Sequence, residues 1–428
     1  MVKIATHRHV DLEERRARLG VRHLLAPGLA AADALQVIRA LGGAWHATDP
    51  ATPQIGVSLR LAEPGRAALD RTLLEDRTAV RHHAMRRTVW ILDLDLAPAA
   101  HQACTMDLAR KEWVKLEKSL AANGIDDPAS WLDGARQRAL EVIAARGSCT
   151  ARELGADAPD LAIPLVIAAG TTYQGTQGAH TQVVQNLGFD GEIVRTESTG
   201  SWVGGEFRWA ISKDWIPNGF TVLATTARDT ANSIGIGIDI GIGIGTDVAR
   251  ARLAVAYLRA FGPATAVDLQ WWAGWTVGAT RRALETVGAV PVSVDGEPDP
   301  GPAVAWLLPD DLDRVEAPTT WATVLPSLDP TVMGWKQRHW YCGEHGRFGH
   351  TVFDRNGNAG NSIVADGAVV GTWAHRPDGA VVVEYLEATT VRQRSLVDES
   401  VDRYLATTGD TVVRPRYPAP LQRSLLER

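Results

Sequence analysis

Two short stretches, Gly147-Ser148-Cys149-Thr150-Ala151-Arg152-Glu153-Leu154 and Gly262-Pro263-Ala264-Thr265-Ala266-Val267-Asp268-Leu269, decide how this chain is read. Each follows a run with helical spacing, opens on glycine, and after two further residues reads Thr-Ala-x-acid-Leu. Glycine stops a helix because it enters left-handed backbone without strain. A threonine three residues before an acid starts the next helix, since hydroxyl and carboxylate each accept an amide hydrogen at the new N-terminus. Helix, glycine and capped helix together are the grammar of a helix-turn-helix. A looser copy stands at Gly28-Leu29-Ala30-Ala31-Ala32-Asp33-Ala34-Leu35. After the second full copy, Thr276 caps a third helix to Val287, and residues 289–294 read as a strand. Three such units, each followed by strands, predict tandem winged helices.

Working outward, helical spacing covers residues 10–25, 30–41, 65–76, 98–122 and 128–145, with Gly42-Gly43 ending the second run. Residues 44–50 read as a loop or short strand that Pro50 keeps from becoming helix. Residues 80–95 alternate basic or polar with apolar side chains and read as a β-hairpin or wing. From Val304 the character turns to β, with hairpin signals at Asn356-Gly357, Asp366-Gly367 and Asp378-Gly379. Strands at 351–354, 362–365, 369–374 and 381–386 then make a small barrel or curled sheet. A helix at 391–405 follows, and an irregular tail carries Pro415, Pro418 and Pro420. The Ile/Gly stretch from Ile234 to Gly245 puts Ile240 where a dinucleotide-binding loop needs its third glycine. It reads as a linker or peripheral hairpin. The expected fold is α+β, divided into winged-helix units at 1–122, 123–230 and 248–303, a linker at 231–247, and a barrel with a terminal helix at 304–428.

The chain has 428 residues, 45% hydrophobic and 22% charged, enough for several packed domains and unlike a disordered or fibrous chain. Cys104, Cys149 and Cys342 are too few and too far apart for a disulfide framework or a zinc ribbon, which favours a reducing compartment. The N-terminus lacks a secretory apolar core, and nothing approaches the roughly 18 apolar residues a membrane span needs. A cytoplasmic protein without membrane contact is expected. Net charge is -6, but residues 1–118 carry 18 basic and 14 acidic side chains, leaving the acidic excess to the remainder. That asymmetry fits either a polyanion-facing end or ordinary solvated helix faces.

No H-E-x-x-H, G-x-S-x-G or C-x-x-C is present, so zincin, α/β-hydrolase and thioredoxin-like chemistry lack support. His82 and His83 are strand neighbours facing opposite sides, and His7 and His9 fall in a terminus read as mobile, so neither pair is expected to hold a metal. The densest short segment is His46-Ala47-Thr48-Asp49-Pro50. Period-two spacing puts His46 and Thr48 on one face, where histidine can take a proton from water and threonine can orient that water. Trp45 beside them either packs the loop or stacks on a base, and the plainer reading of the segment is a capped turn in which Thr48 or Asp49 binds backbone amides and His46 is simply satisfied. The other basic segment, Arg81-His82-His83-Ala84-Met85-Arg86-Arg87-Thr88, either neutralises phosphates from a wing or is a solvated strand paired with Glu75 or Asp76. The tryptophans, Trp271, Trp272 and Trp275 among them, fit core packing better than base stacking.

Taken in order, these segments resemble a known family. Leu41-Gly42-Gly43-Ala44-Trp45-His46-Ala47-Thr48-Asp49 is followed by the Arg81–Thr88 segment with Val89-Trp90 after it, and then Tyr257-Leu258-Arg259-Ala260-Phe261-Gly262-Pro263-Ala264-Thr265. Leu325-Pro326-Ser327-Leu328-Asp329-Pro330-Thr331-Val332-Met333-Gly334-Trp335-Lys336 completes the set. The combination is similar to the tandem winged-helix superfamily that includes the AlkZ and YcaQ DNA glycosylases. The resemblance implies three winged helices around a C-terminal β-barrel and duplex DNA as partner. Its members excise alkylated purines, including bulky adducts and interstrand crosslinks. Their catalytic Gln-apolar-Gln or Gln-apolar-Asp motif falls on His46, Ala47 and Thr48, with Asp49 beside it, and neither His46 nor Thr48 is of the family's residue type. Their lesion-probing hairpin falls near Arg355-Asn356-Gly357-Asn358. DNA contacts are expected at Arg81, Arg86, Arg87, Lys336, Arg338, Arg355 and Asn356, in a monomer needing no cofactor. A DNA binder without catalysis is the alternative.

Overall fold

The computed structural model describes residues 5–167, 170–171, 174–216, 245–296, 303–343, 347–416 and 418–427. The Ile/Gly stretch read as a linker lies, apart from Gly245, outside the described residues. The fold is mixed α+β in two compact units, one built from residues 1–75 with 250–428 and the other from 76–249. None of Cys104, Cys149 and Cys342 is in a disulfide. No helix among the described residues is long and apolar enough to cross a membrane.

In the first unit, Asp11 and Asp33 cap the helices Leu12–Arg22 and Ala34–Ala40, each accepting an amide hydrogen with its carboxylate. Thr265 and Asp268 form the expected capping box at the start of Ala266–Ala273, and Thr276 caps Val277–Thr286. Strand Val290–Val294 follows and pairs antiparallel with Ala303–Leu307. Its other edge is taken, in parallel, by His9–Val10. The terminus read as mobile is therefore a strand: His9 reaches Ser293 Oγ at 3.0 Å and Asp295 Oδ2 at 3.1 Å.

The C-terminal sheet runs Ala322–Leu325, Ser362–Ala365, Ala368–His375, Val381–Tyr385, antiparallel throughout. Among the described residues it stays open rather than closing into the expected barrel. The helix Val391–Thr408 covers it, with Ser400 Oγ accepting from Val324 N at 3.1 Å and Tyr404 bonded to His375 Nδ1 at 2.8 Å. Two sequence expectations shift here, and one strand was not foreseen. Residues 351–354, read as a strand leading into the Asn356-Gly357 hairpin signal, are instead divided: Thr351 and Val352 end a short helix, Gly349–Val352, and Phe353 only bridges Ala359 across the turn. Ala322–Leu325 is buried on both faces and so carried no alternation to read. The tail helix Pro420–Glu427 starts on the proline that had suggested irregularity, because a first-turn proline loses no hydrogen bond.

The second unit has a sheet in the order Val89–Asp93, Ala79–His83, Ile193–Thr199, Glu206–Ile211, antiparallel across each of those pairs. The first two strands are the hairpin expected at 80–95. A helical run from Ala97 to Ala122 contains one wide turn, His101–Thr105. Helices Pro128–Arg146, Ala151–Asp157 and Ala179–Asp190 pack with it around Leu116, Leu120, Ile143, Leu154, Val183 and Leu187. Gly147 ends one helix at φ +71° and the Thr150–Glu153 capping box starts the next, as the quoted stretch requires.

Candidate active-site loop

Gly42 and Gly43, at φ +79° and +67°, turn the chain out of Ala34–Ala40 and into the short strand Ala44–His46. Trp45 then points inward. Its ring is fully buried beneath the Arg60 guanidinium, 5.2 Å away, and a β-carbon at Gly56 would collide with it. It packs the loop and offers no face to a base. Pro50 heads a helix that sequence reading missed, Ala51–Ser58, whose first turn tolerates proline.

Between strand and helix, His46 and Thr48 are half-buried and Ala47 and Asp49 buried, the alternation that period-two spacing predicts. Thr48 Oγ1 lies 3.2 Å from His46 Nε2. Asp49 accepts from the Ala51 amide through Oδ1 and from the Arg416 amide through Oδ2, both at 3.1 Å. Arg416 also donates to Thr48 O at 3.4 Å. Burial pushes the Asp49 carboxyl above the ordinary aspartate range, against the opposing pull of those amides and of the Arg416 charge. A small recess lined by Asp49, Thr52, Ser327, Asn361, Trp373 and Val413 adjoins it, with room for roughly one water molecule.

The loop stands on a buried floor. Arg60 and Asp329, neither exposed, pair through two bonds of 2.8 and 3.0 Å. Arg60 also donates to His23 O, Gly56 O and Thr331 Oγ1. Asp329 in turn accepts from Thr331 N, capping the helix Pro330–Met333. Thr52 donates to Ser327 O at 2.6 Å, and Ser327 N to Asn361. Much of the Leu325–Lys336 motif therefore holds the helix that follows the loop. The His23 imidazole, buried beside Arg60, is pushed down to about 3, chiefly by burial.

Of the other expected site residues in this unit, Lys336 is exposed, its amide bound to Asp268 Oδ1 at 2.9 Å. Arg338 donates to Trp335 O and Gly357 O and lies 4.1 Å from the Phe353 ring, so it anchors the following hairpin. In that hairpin Asp354 Oδ1 gathers the amides of Asn356 and Asn358, Gly357 sits at φ +80°, and Arg355 and Asn356 are exposed at the tip. Arg81, Arg86 and Arg87 belong to the other unit. Arg81 donates to Thr196 O at 2.9 Å. Arg86 and Arg87 form the hairpin tip at φ +54° and +64°, strained values for arginine, and Arg87 pairs with Glu112 at 2.6 Å rather than with Glu75 or Asp76. His82 bonds His101, Nε2 to Nδ1, at 2.9 Å while His83 packs on Phe189, each on its own face. Among the described residues no three His, Cys, Asp or Glu side chains converge as a metal site. Sequence reading missed Arg60 and Arg416; neither had a local signal, because the carboxylates they meet, Asp329 and Asp49, lie hundreds of residues away. Asp329 did have one, as an aspartate preceding proline at a helix start.

A family profile described as DNA glycosylase AlkZ-like matches residues 38–407. A solved structure, the DNA glycosylase AlkZ of Streptomyces sahachiroi, superposes with TM-score 0.65 at 19% identity, covering 96% of this chain and 99% of that one. That likeness speaks for the fold. Comparison with curated protein sequences finds no match. With the profile spanning most of its length, the chain belongs to the AlkZ-like DNA glycosylase family.

Proposed function

We propose that the chain is a monofunctional DNA glycosylase that hydrolyses the N-glycosidic bond of alkylated or adducted purines in duplex DNA, acting as a monomer in the cytoplasm. The observation that carries the reading is the 3.2 Å contact between half-buried His46 and Thr48, at the two positions where the resembled glycosylases bear their polar pair. An N3- or N7-alkylated purine is already cationic. It departs with the bonding electron pair and becomes neutral without help from an acid. Water oxygen bonds the sugar C1′ as the bond from C1′ to the base breaks, and the released proton passes to His46. Thr48 orients the water, and the Asp49 charge, one residue on, favours the oxocarbenium-like sugar. Extruding the base costs a few kcal/mol, least where damage has weakened its stacking.

In the same reading the capped helix pairs of 123–230 and 248–303 are winged helices, with 1–122 a third, 231–247 the linker and 304–428 the C-terminal module. Arg355 and Asn356 probe the lesion, while Lys336 and Arg338 flank them and Arg81, Arg86 and Arg87 meet phosphates. One observation favours the second reading, a winged-helix DNA binder without catalysis: Asp49 spends its two oxygens on backbone amides, as a plain capped turn would. The test is release of free base from duplex DNA carrying N7-methylguanine or a bulky purine adduct. Release supports the glycosylase, and salt-dependent binding without release supports the binder.

A further inference from the structure

We infer that the sheet face carrying Arg81, Arg195 and Phe207 in the second unit binds a phosphate-class oxyanion, and that its source is the backbone of duplex DNA. Arg195 on Ile193–Thr199 stands directly across from Arg81 on Ala79–His83. Both guanidinium groups lie over the Phe207 ring, at 5.1 Å for Arg81 and 5.8 Å for Arg195, and Arg195 is also 5.0 Å from the Trp209 ring. Yet among the described residues the Arg195 guanidinium makes no hydrogen bond and no ion pair, and its Nε is buried. Glu197, two residues along the strand, lies 3.6 Å from Arg208 instead.

The charge acting on Arg195 is thus of its own sign. Burial and Arg81 push it down to about 10. His83, whose imidazole is pushed down to about 3 by burial with Arg195 and Arg87 adding to it, supplies no anion either. Like charges directly opposite in a sheet destabilise it, and a buried charge without a partner costs more than a buried polar group. A stable fold keeps such a pair where something from outside completes it. The Arg195 fork on its aromatic floor matches a tetrahedral oxyanion, to which it can give a pair of parallel hydrogen bonds, while Arg81, which already donates to Thr196 O, adds its positive charge beside it.

The inference rests on the DNA-binding half of the reading above and not on the His46 loop, so the experiment uses undamaged duplex. DNA affinity of the full chain is measured against salt for wild type, Arg195→Gln and Arg195→Lys, with thermal melting of each in millimolar inorganic phosphate. Arg195→Gln is expected to lose roughly tenfold in affinity and to lower the salt slope by about one, with melting unchanged or raised because an uncompensated charge is gone. Arg195→Lys keeps the slope and loses part of the affinity. A lower melting temperature with an unchanged slope would mean that Arg195 only packs on its rings, and would overturn the site. Phosphate that stabilises wild type but not Arg195→Gln, without any change in DNA slope, keeps the oxyanion site and overturns its source in DNA. Loss of excision by the chain would overturn the glycosylase reading and leave this result standing.

Discussion

Arg60 in the first unit gives every donor group to the fold. Five hydrogen bonds reach His23 O, Gly56 O, both Asp329 oxygens and Thr331 Oγ1, and none of the side chain is exposed. Arg195 in the second unit rests on Phe207 and Trp209 and, among the described residues, gives its donors to nothing in the protein. The same residue type therefore serves two ends. Where an interior charge has its counter-charge, as at Asp329, the pair is scaffold and carries the helix behind the His46 loop. Where the counter-charge is missing, the residue is kept for something the chain does not contain.

The largest effect expected from breaking that comparison is at the scaffold. Asp329→Ala strands Arg60 as an uncompensated interior charge and should cost about 3–5 kcal/mol in urea unfolding. Arg195→Gln should cost nothing. Equal losses at the two positions would erase the distinction drawn here.

Acid sharpens the comparison next. His83 and His101 are pushed down to about 3 and 4 and His82 well below its ordinary value, all chiefly by burial, and the first unit adds His23 at about 3. In each case the unfolded chain takes up a proton near pH 6.5 that the folded chain refuses. Stability is therefore full above that value and falls as pH drops toward 3–4, by about 1–2 kcal/mol per histidine at pH 5. His180 is lowered by burial in residues 76–249 too, and His375 in the first unit; with four such groups against two, hydrogen exchange at pH 5 should open the unit of residues 76–249 more than the first. Equal protection in both would show that these imidazoles reach solvent.

A smaller effect is expected at the hairpin tip. Arg86→Ala should weaken DNA binding about equally for all sequences and lower the salt slope by about one, as read by fluorescence anisotropy. An unchanged slope would remove Arg86 from the interface.

What could be read beforehand was local. Thr150 with Glu153, Thr265 with Asp268, and Asn356-Gly357 act over three or four residues, and each stands where its chemistry put it. So does the alternation at His46 and Thr48. What could not be read depended on partners far along the chain. His9–Val10 pairs with a strand some 280 residues away, Asp49 takes an amide from Arg416, and Arg60 finds Asp329. No periodicity reports such meetings. Pro50 misled for another reason: a proline forbids the middle of a helix and favours its start, and residue type alone does not say which applies.

The most direct test of the account is the rate of purine release from duplex DNA carrying N7-methylguanine, measured under single turnover for wild type and His46→Ala at matched melting temperature and DNA affinity. The account predicts release by wild type and a loss of about a hundredfold or more in the variant, in the range for a general base. Equal release by both proteins would remove His46 from the chemistry, and no release by either would leave a DNA-binding member of the family.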